Sequence, residues 1–473
     1  MPAFHYNPMD YLITFAFVSS RPDMKKSFRI LILLLLLAVV GLAVTYYPRL
    51  DILTGFAAKN VASGVFLAGR TQESIESGDN GFFPVNLSSN RVDLERRSVE
   101  TDVLGIKNRK AIFVEGLGAM LVNKDYEPGT EFKVPNRFRA PSGLPFPYGD
   151  LPQKDTLFDE IDYEKLARAV KGAFDPPGEQ DKRTRSLLVV YKGHIVAEQY
   201  ADGFDKSTPI LGWSMTKSIT STLYGILARM GRIDISQPVG LKEWADDERS
   251  SITYNDLLHM NSGLEWEEDY NTLSDVTRML YLESEMGRSQ IEKPLEGIPD
   301  GSWNYSSGTT NLLAGPLLRA EFESHQEYLD FWYRELLDKI GMHSSVIETD
   351  LSGNYVGSSY GWANTRDWAK FGLLYLNRGN WNGEQIVDST WVDYVSTPTN
   401  TSDGRYGAQF WLNAGGHYPD VPRDLYSANG YQGQYVFIIP SKDLVVVRTG
   451  LMEEPDFDVN GLLRDLVSCF KTL

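Results

Sequence analysis

The chain has 473 residues, with 46 Lys and Arg against 63 Asp and Glu, for a formal charge of −17. That balance excludes a basic nucleic-acid footprint, since phosphate neutralisation needs clustered Lys and Arg. A single cysteine, Cys469, excludes an intrachain disulfide framework and a thiolate zinc cluster, while 42 % hydrophobic residues suffice for a large buried core.

Residues 1–27 read as a cytoplasmic N-terminal segment in which Met24 offers a second start. Lys25, Lys26 and Arg29 lead into an uncharged run, residues 30–47. Basic residues ahead of an apolar run of bilayer length predict a spanning segment with the bulk of the chain exported. Residues 28–47 are read as a transmembrane anchor or a signal sequence. A missing Ala-x-Ala site favours the anchor. The expected location is the extracytoplasmic face of a bacterial inner membrane.

Residues 48–157 read as a lead-in segment that wraps the main domain. Residues 111–121 suggest a strand pair around Gly116. Pro128, Pro135, Pro141, Pro145, Pro147 and Pro152 then mark an extended connector.

The main domain is expected over residues 158–473. Leu166, Ala167, Val170 and Phe174 recur at helical spacing. Residues 186–191 and 194–200 are β-rich runs around Lys192-Gly193, a hairpin signature. Residues 434–439 and 444–449 form a second such pair. Val459, Leu462, Leu463, Leu466 and Phe470 then line one face of a closing helix. Hairpins at both ends predict an α+β fold: one antiparallel sheet assembled from both termini, flanked by helices, with an inserted helical part.

Between the hairpins lies Gly212-Trp213-Ser214-Met215-Thr216-Lys217-Ser218. Ser214 is expected to cap the following helix with a non-helical backbone. Lys217, three residues on, shares its helical face and can return its amine to the serine oxygen. A serine hydroxyl needs a base, and a lysine serves if burial depresses its pKa. The plain alternative is a capping serine and a solvated lysine. Tyr305-Ser306-Ser307-Gly308 is the candidate proton relay, its phenol expected to shift toward ionisation beside the lysine. The segment Ala428 to Gln434, with Gly430 and Gly433, leads into an edge strand that could supply a second oxyanion N–H beside that of Ser214. Trp213 and Trp303 flank the two motifs, and His259 reads as a core histidine. Gly357-Ser358-Ser359-Tyr360-Gly361 matches Gly-x-Ser-x-Gly, but the turn residues before it are not the required strand.

In order and spacing, Ser214-Met215-Thr216-Lys217, residues 252–264, Tyr305-Ser306-Ser307, residues 366–376 and the 434–450 hairpin resemble the serine β-lactamase and penicillin-binding-protein superfamily. The closest branch is the class C-like group holding 6-aminohexanoate-dimer hydrolase and related esterases. The resemblance covers residues 158–473. It implies a β-lactamase/transpeptidase-like fold in which Ser214 is acylated, Lys217 is its base and Tyr305 relays protons. The backbone N–H groups of Ser214 and Gln434 would form the oxyanion hole. Trp213, Ser307, Tyr431 and Gly433 would contact substrate. Met260 stands where histidine is usual, and Tyr431-Gln432-Gly433 where Lys-Thr-Gly or His-x-Gly is usual. A phenol, neutral near pH 7, offers a substrate carboxylate no counter-charge, which favours a neutral ester or amide. The expected activity is that of a membrane-tethered serine hydrolase working through an acyl-enzyme. The alternatives are a D,D-peptidase or β-lactamase, or a non-catalytic binder of peptides or wall fragments. No sequence feature demands a metal or other cofactor. The expected partners are a small or peptide-like ester or amide and the membrane, with the oligomeric state open.

Overall fold

The computed structural model describes residues 24–471 apart from 141 and 150, and leaves the side chains of residues 24, 26, 27, 38–40 and 42–46 undescribed. Most of the expected cytoplasmic segment therefore lies outside the described residues. The first helix, α1, is Met24–Phe66, and the chain divides into two units at Arg49 and Leu50. In the first unit Phe28 and residues 30–37 are exposed. Among the described residues no helix is long and apolar enough to cross a membrane. The span expected at 28–47 falls partly on side chains outside those described.

From Leu50 onward α1 is part of the second unit, burying Phe56, Ala57, Ala58, Val61 and Ala62. An antiparallel sheet follows, β1 (Ser89–Asp93), β2 (Ser98–Val103), β3 (Lys107–Val114) and β4 (Gly118–Val122), paired in chain order. The β3–β4 turn is the expected strand pair, with Gly116 and Gly118 at φ +83° and +78°. A buried ion pair ties this segment to the rest of the second unit. Lys59, 4 % exposed, meets Glu348, 0 % exposed. The Glu348 carboxylate also accepts from Ser63 Oγ at 2.7 Å, Ala119 N at 2.8 Å and Trp362 Nε1 at 2.8 Å. The proline-rich connector is pinned by Arg137 on Asp338.

The larger sheet of this unit has six antiparallel strands. β5 (Thr184–Tyr191) and β6 (His194–Tyr200) come first, joined by Lys192 and Gly193, both at positive φ. β7 (Trp411–Leu412), β8 (Tyr426–Gly430), β9 (Gln434–Ile439) and β10 (Leu444–Gly450) come from the other end of the chain. The spatial order is β7-β8-β9-β10-β5-β6, so β10 pairs with β5 and the sheet is assembled from both ends, as expected.

Alternate residues point to two separate cores. Leu187, Val189, Phe437 and Val446 pack with α2 (Tyr163–Gly172) and α6 (Val459–Val467). Leu188, Val190, Val436 and Val445 pack on the opposite face with α3 (Met215–Arg229) and α5 (Thr365–Leu376). Burial on both faces explains why these strands read as continuous apolar runs. Each such side chain contributes about 1.5–3 kcal/mol of burial. Between α3 and α5 lies the inserted helical part, including α4 (Ser307–Leu312), which widens into a π turn over Leu313–Leu317 at Pro316. Proline lacks the N–H that regular α-helical pairing needs.

Candidate active site

The turn that delivers Ser214 is held from both sides. Ile210–Leu211 pairs antiparallel with Gly361–Ala363, and Gly212 N donates to Gly361 O at 2.8 Å. Trp213 then takes φ +48°, a left-handed conformation of the kind that stores about 1–3 kcal/mol of strain. It is 3 % exposed and packs between Phe56 of α1 (6.3 Å, 18° between planes), Tyr270, Tyr360 and Tyr431. Ser214 itself is helical, at φ −65° and ψ −6°, and its side chain caps nothing. This differs from the expected N-cap because the chain reverses one residue earlier, at Trp213. The Ser214 hydroxyl is left free of the backbone.

Lys217 is 1 % exposed. Its Nζ lies 3.0 Å from Ser214 Oγ, 2.8 Å from Ser307 Oγ and 3.0 Å from the Ser358 carbonyl oxygen. Burial lowers its pKa from 10.5 to about 8, against the opposing pull of Glu268. The solvated-lysine alternative is thereby excluded.

The Tyr305 ring stands 4.9 Å from Lys217 Nζ, and its hydroxyl interacts with that of Ser214. Burial, and after it the charge of Glu268, pushes the phenol well above its ordinary range; the interactions with Ser214 and Trp411 pull it back only in part. The expected shift toward ionisation is reversed: desolvation dominates, and Tyr305 is held neutral. Ser307, fully buried, gives its backbone N–H to Glu268 Oε2 at 2.8 Å and its hydroxyl to Glu268 Oε1.

A cavity of about 290 Å³ opens on Ser214, lined among others by Tyr270, Tyr305, Trp411, Asn429, Gly430, Tyr431, Glu453 and Glu454. Of the four expected substrate contacts, only Tyr431 lines it. Trp213 packs behind the serine, and Ser307 is spent on Lys217 and Glu268. Gly433 lies under the turn, where a Cβ would fall 2.1 Å from Met452 O. Gln434, the expected second oxyanion donor, opens β9. It pairs with Gly430 in the β8–β9 ladder, and its buried side chain bonds Gly450. The backbone beside the nucleophile turn is that of Gly430 and Tyr431, since a Cβ at 430 would lie 3.1 Å from Trp213 Cβ.

His259 is a core histidine, its pKa lowered to about 4 by burial and its Nδ1 2.6 Å from Thr399 Oγ1. The buried Met260 accepts the Ser306 N–H on sulfur at 3.3 Å. Ser358 of the Gly-x-Ser-x-Gly match is fully buried, and its hydroxyl bonds Ser359. Sequence reasoning missed Glu268, Glu453 and Glu454. The acidic-aromatic run Trp266-Glu267-Glu268-Asp269-Tyr270 was the available signal for the first.

The family model described as Beta-lactamase matches residues 166–461, more than half of the chain. The chain belongs to the beta-lactamase family. One relative, the 6-aminohexanoate-dimer hydrolase of Paenarthrobacter ureafaciens, is 25 % identical over 303 residues, 58 % of this chain and 74 % of its own. A Bacillus anthracis structure assigned as a 6-aminohexanoate-dimer hydrolase superposes with TM-score 0.56 at 21 % identity, covering 71 % of this chain and 89 % of that one. A family VIII carboxylesterase gives TM-score 0.54 at 18 % identity, covering 67 % and 99 %. These structural likenesses establish the shared β-lactamase/transpeptidase-like α+β fold. This beta-lactamase-family chain is a serine hydrolase of the type that acts on amide or ester bonds.

Proposed function

We propose that the chain hydrolyses neutral esters or amides through an acyl-enzyme on Ser214, with Lys217 as base and Tyr305 as proton relay. The observation that carries this reading is the buried Lys217 amine, 3.0 Å from Ser214 Oγ and with its pKa lowered to about 8. Neutral Lys217 takes the Ser214 proton as Oγ bonds to the substrate carbonyl carbon. The resulting oxyanion sits between the N–H of Ser214 and that of Tyr431, each such donor being worth about 10²–10³ in rate. As the carbonyl re-forms, the leaving group departs with the Tyr305 proton, which Lys217 replaces. Water then retraces these steps to release the acid.

Glu453 and Glu454 line the cavity and outnumber its one arginine, the exposed Arg405. Tyr431, pushed up to about 12 by burial and by Glu453, lines the same cavity as a neutral phenol. Both features disfavour a substrate carboxylate, and so a penicillin or a peptidoglycan stem.

Residues 28–47 are proposed as a membrane anchor that leaves the hydrolase on the extracytoplasmic face. The support is the uncharged run after Lys25, Lys26 and Arg29, together with exposed Phe28 and residues 30–37. Carbonate extraction of membranes tests it: release of the intact chain refutes the anchor.

Intact-mass analysis across a panel of esters, amides and penicillins tests the chemistry. The expected result is an acyl adduct mapped to Ser214 and absent from Ser214→Ala. Turnover retained by Ser214→Ala refutes the assignment, and a stable penicillin adduct replaces the substrate class.

A further inference from the structure

The hydrogen bonds around Lys217 have a direction, and Glu268 sets it. A neutral amine offers two N–H donors and one lone pair. The Ser358 carbonyl, 3.0 Å away, can only accept, so it takes one N–H. Ser307 Oγ, 2.8 Å away, carries a single proton, and that proton goes to Glu268 Oε1. Toward Lys217 this hydroxyl can then only accept, and it takes the second N–H. The lone pair is left for Ser214, whose hydroxyl is the third neighbour at 3.0 Å.

Glu268 is itself held for this task. Its Oε2 receives two groups that can only donate, the Ser307 backbone N–H at 2.8 Å and the Trp266 indole N–H at 2.5 Å. The Tyr270 hydroxyl donates to Oε1 at 3.4 Å. We infer that Glu268 is a positioning residue for acylation, which fixes the Ser307 hydroxyl and so reserves the Lys217 lone pair for the Ser214 proton. The inference rests on the Ser214–Lys217 reading above.

Without the carboxylate, the Ser307 hydroxyl is free to turn and donate to the amine in competition with Ser214. The loss falls on proton removal, not on substrate binding. The charge acts as well. Lys217 feels Glu268 from the 261–274 loop, and it faces Tyr305 from the segment before α4 and the Ser358 carbonyl from the 357–361 segment. Of these, Glu268 favours the ammonium form, so its removal moves the Lys217 titration to lower pH.

The experiment is kcat/KM against pH with a p-nitrophenyl ester, for the full chain and for Glu268→Gln, Ser307→Ala and the double variant. Glu268→Gln is expected to lose at least about tenfold in plateau rate with KM within about twofold, and its acid limb should move to lower pH. Ser307→Ala is expected to lose a comparable factor, and the double variant no more than Ser307→Ala alone, because the two act in series. A Glu268→Gln variant with wild-type plateau and limb overturns the inference, as do additive losses. If Glu268→Gln does not fold, Ser307→Ala decides: turnover equal to wild type overturns it. Ser214→Ala separates the two levels. Turnover there sinks the nucleophile assignment, whereas a silent Ser214→Ala beside an unaffected Glu268→Gln sinks this inference alone.

Discussion

Gly430 lies against Gly212: a side-chain carbon at 430 would sit 2.0 Å from the Gly212 carbonyl oxygen. Only a residue without Cβ lets β8 run this close to the nucleophile turn. Gly430→Ala is expected to push the strand outward and carry the Tyr431 N–H with it, lowering kcat by about 10²–10³. Gly193→Ala is the control, with φ +76° and nothing within 4 Å. It should cost about 1 kcal/mol of stability and leave turnover unchanged. Steady-state kinetics and thermal melts on both variants check the pair.

The base must be neutral to act. With Lys217 titrating at about 8, kcat/KM should rise with pH through that value and level off above it. Lys217→Arg keeps a cation that cannot deprotonate. It should lose at least about 10³ in rate and show no limb in this range.

The same titration bears on stability. The folded pKa, about 8, lies below the unfolded value of 10.5, so below pH 8 the folded state must bury an ammonium. Above 10.5 the amine is neutral in both states and the penalty is gone. Lys217→Met, although inactive, should therefore melt above wild type at pH 6. The gap should narrow as pH rises toward 10, which calorimetry at several pH values measures.

A neutral Tyr305 matters most when the leaving group needs a proton. Tyr305→Phe should lower amide turnover by about 10²–10⁴ and p-nitrophenyl ester turnover by much less, since nitrophenolate leaves unaided. Equal losses on the two substrates would count against the relay.

Glu453 is buried enough for its pKa to be raised, yet it accepts the Gln432 N–H at 2.9 Å. Glu453→Gln preserves an acceptor while removing charge. KM for an anionic ester should fall about threefold to tenfold relative to its neutral isostere. An unchanged ratio at low ionic strength would show that this wall does not select on charge.

The main sheet was legible because its evidence is local and redundant. Leu187, Leu188, Val189 and Val190 face two cores in turn, and the Lys192-Gly193 turn follows directly. The Ser214–Lys217 pair was legible because one helical turn contains it. What escaped depends on distant partners. Glu268 meets Ser307 across 39 positions, and Lys59 meets Glu348 across 289. The close approach of Gly430 to the nucleophile turn also escaped, because which strand passes the serine depends on pairing between distant segments. Trp213 was taken for a cleft wall, although its left-handed backbone turns the ring into the α1 aromatic cluster.

Phe56 makes α1 part of the wall behind the nucleophile. Where a protease cuts thus decides what is released. Scission between Arg49 and Leu50 frees a body that keeps the ring against Trp213 and the Lys59–Glu348 tie. Scission beyond Phe66 leaves both contacts held by packing alone, with no covalent link to the Ser214 turn.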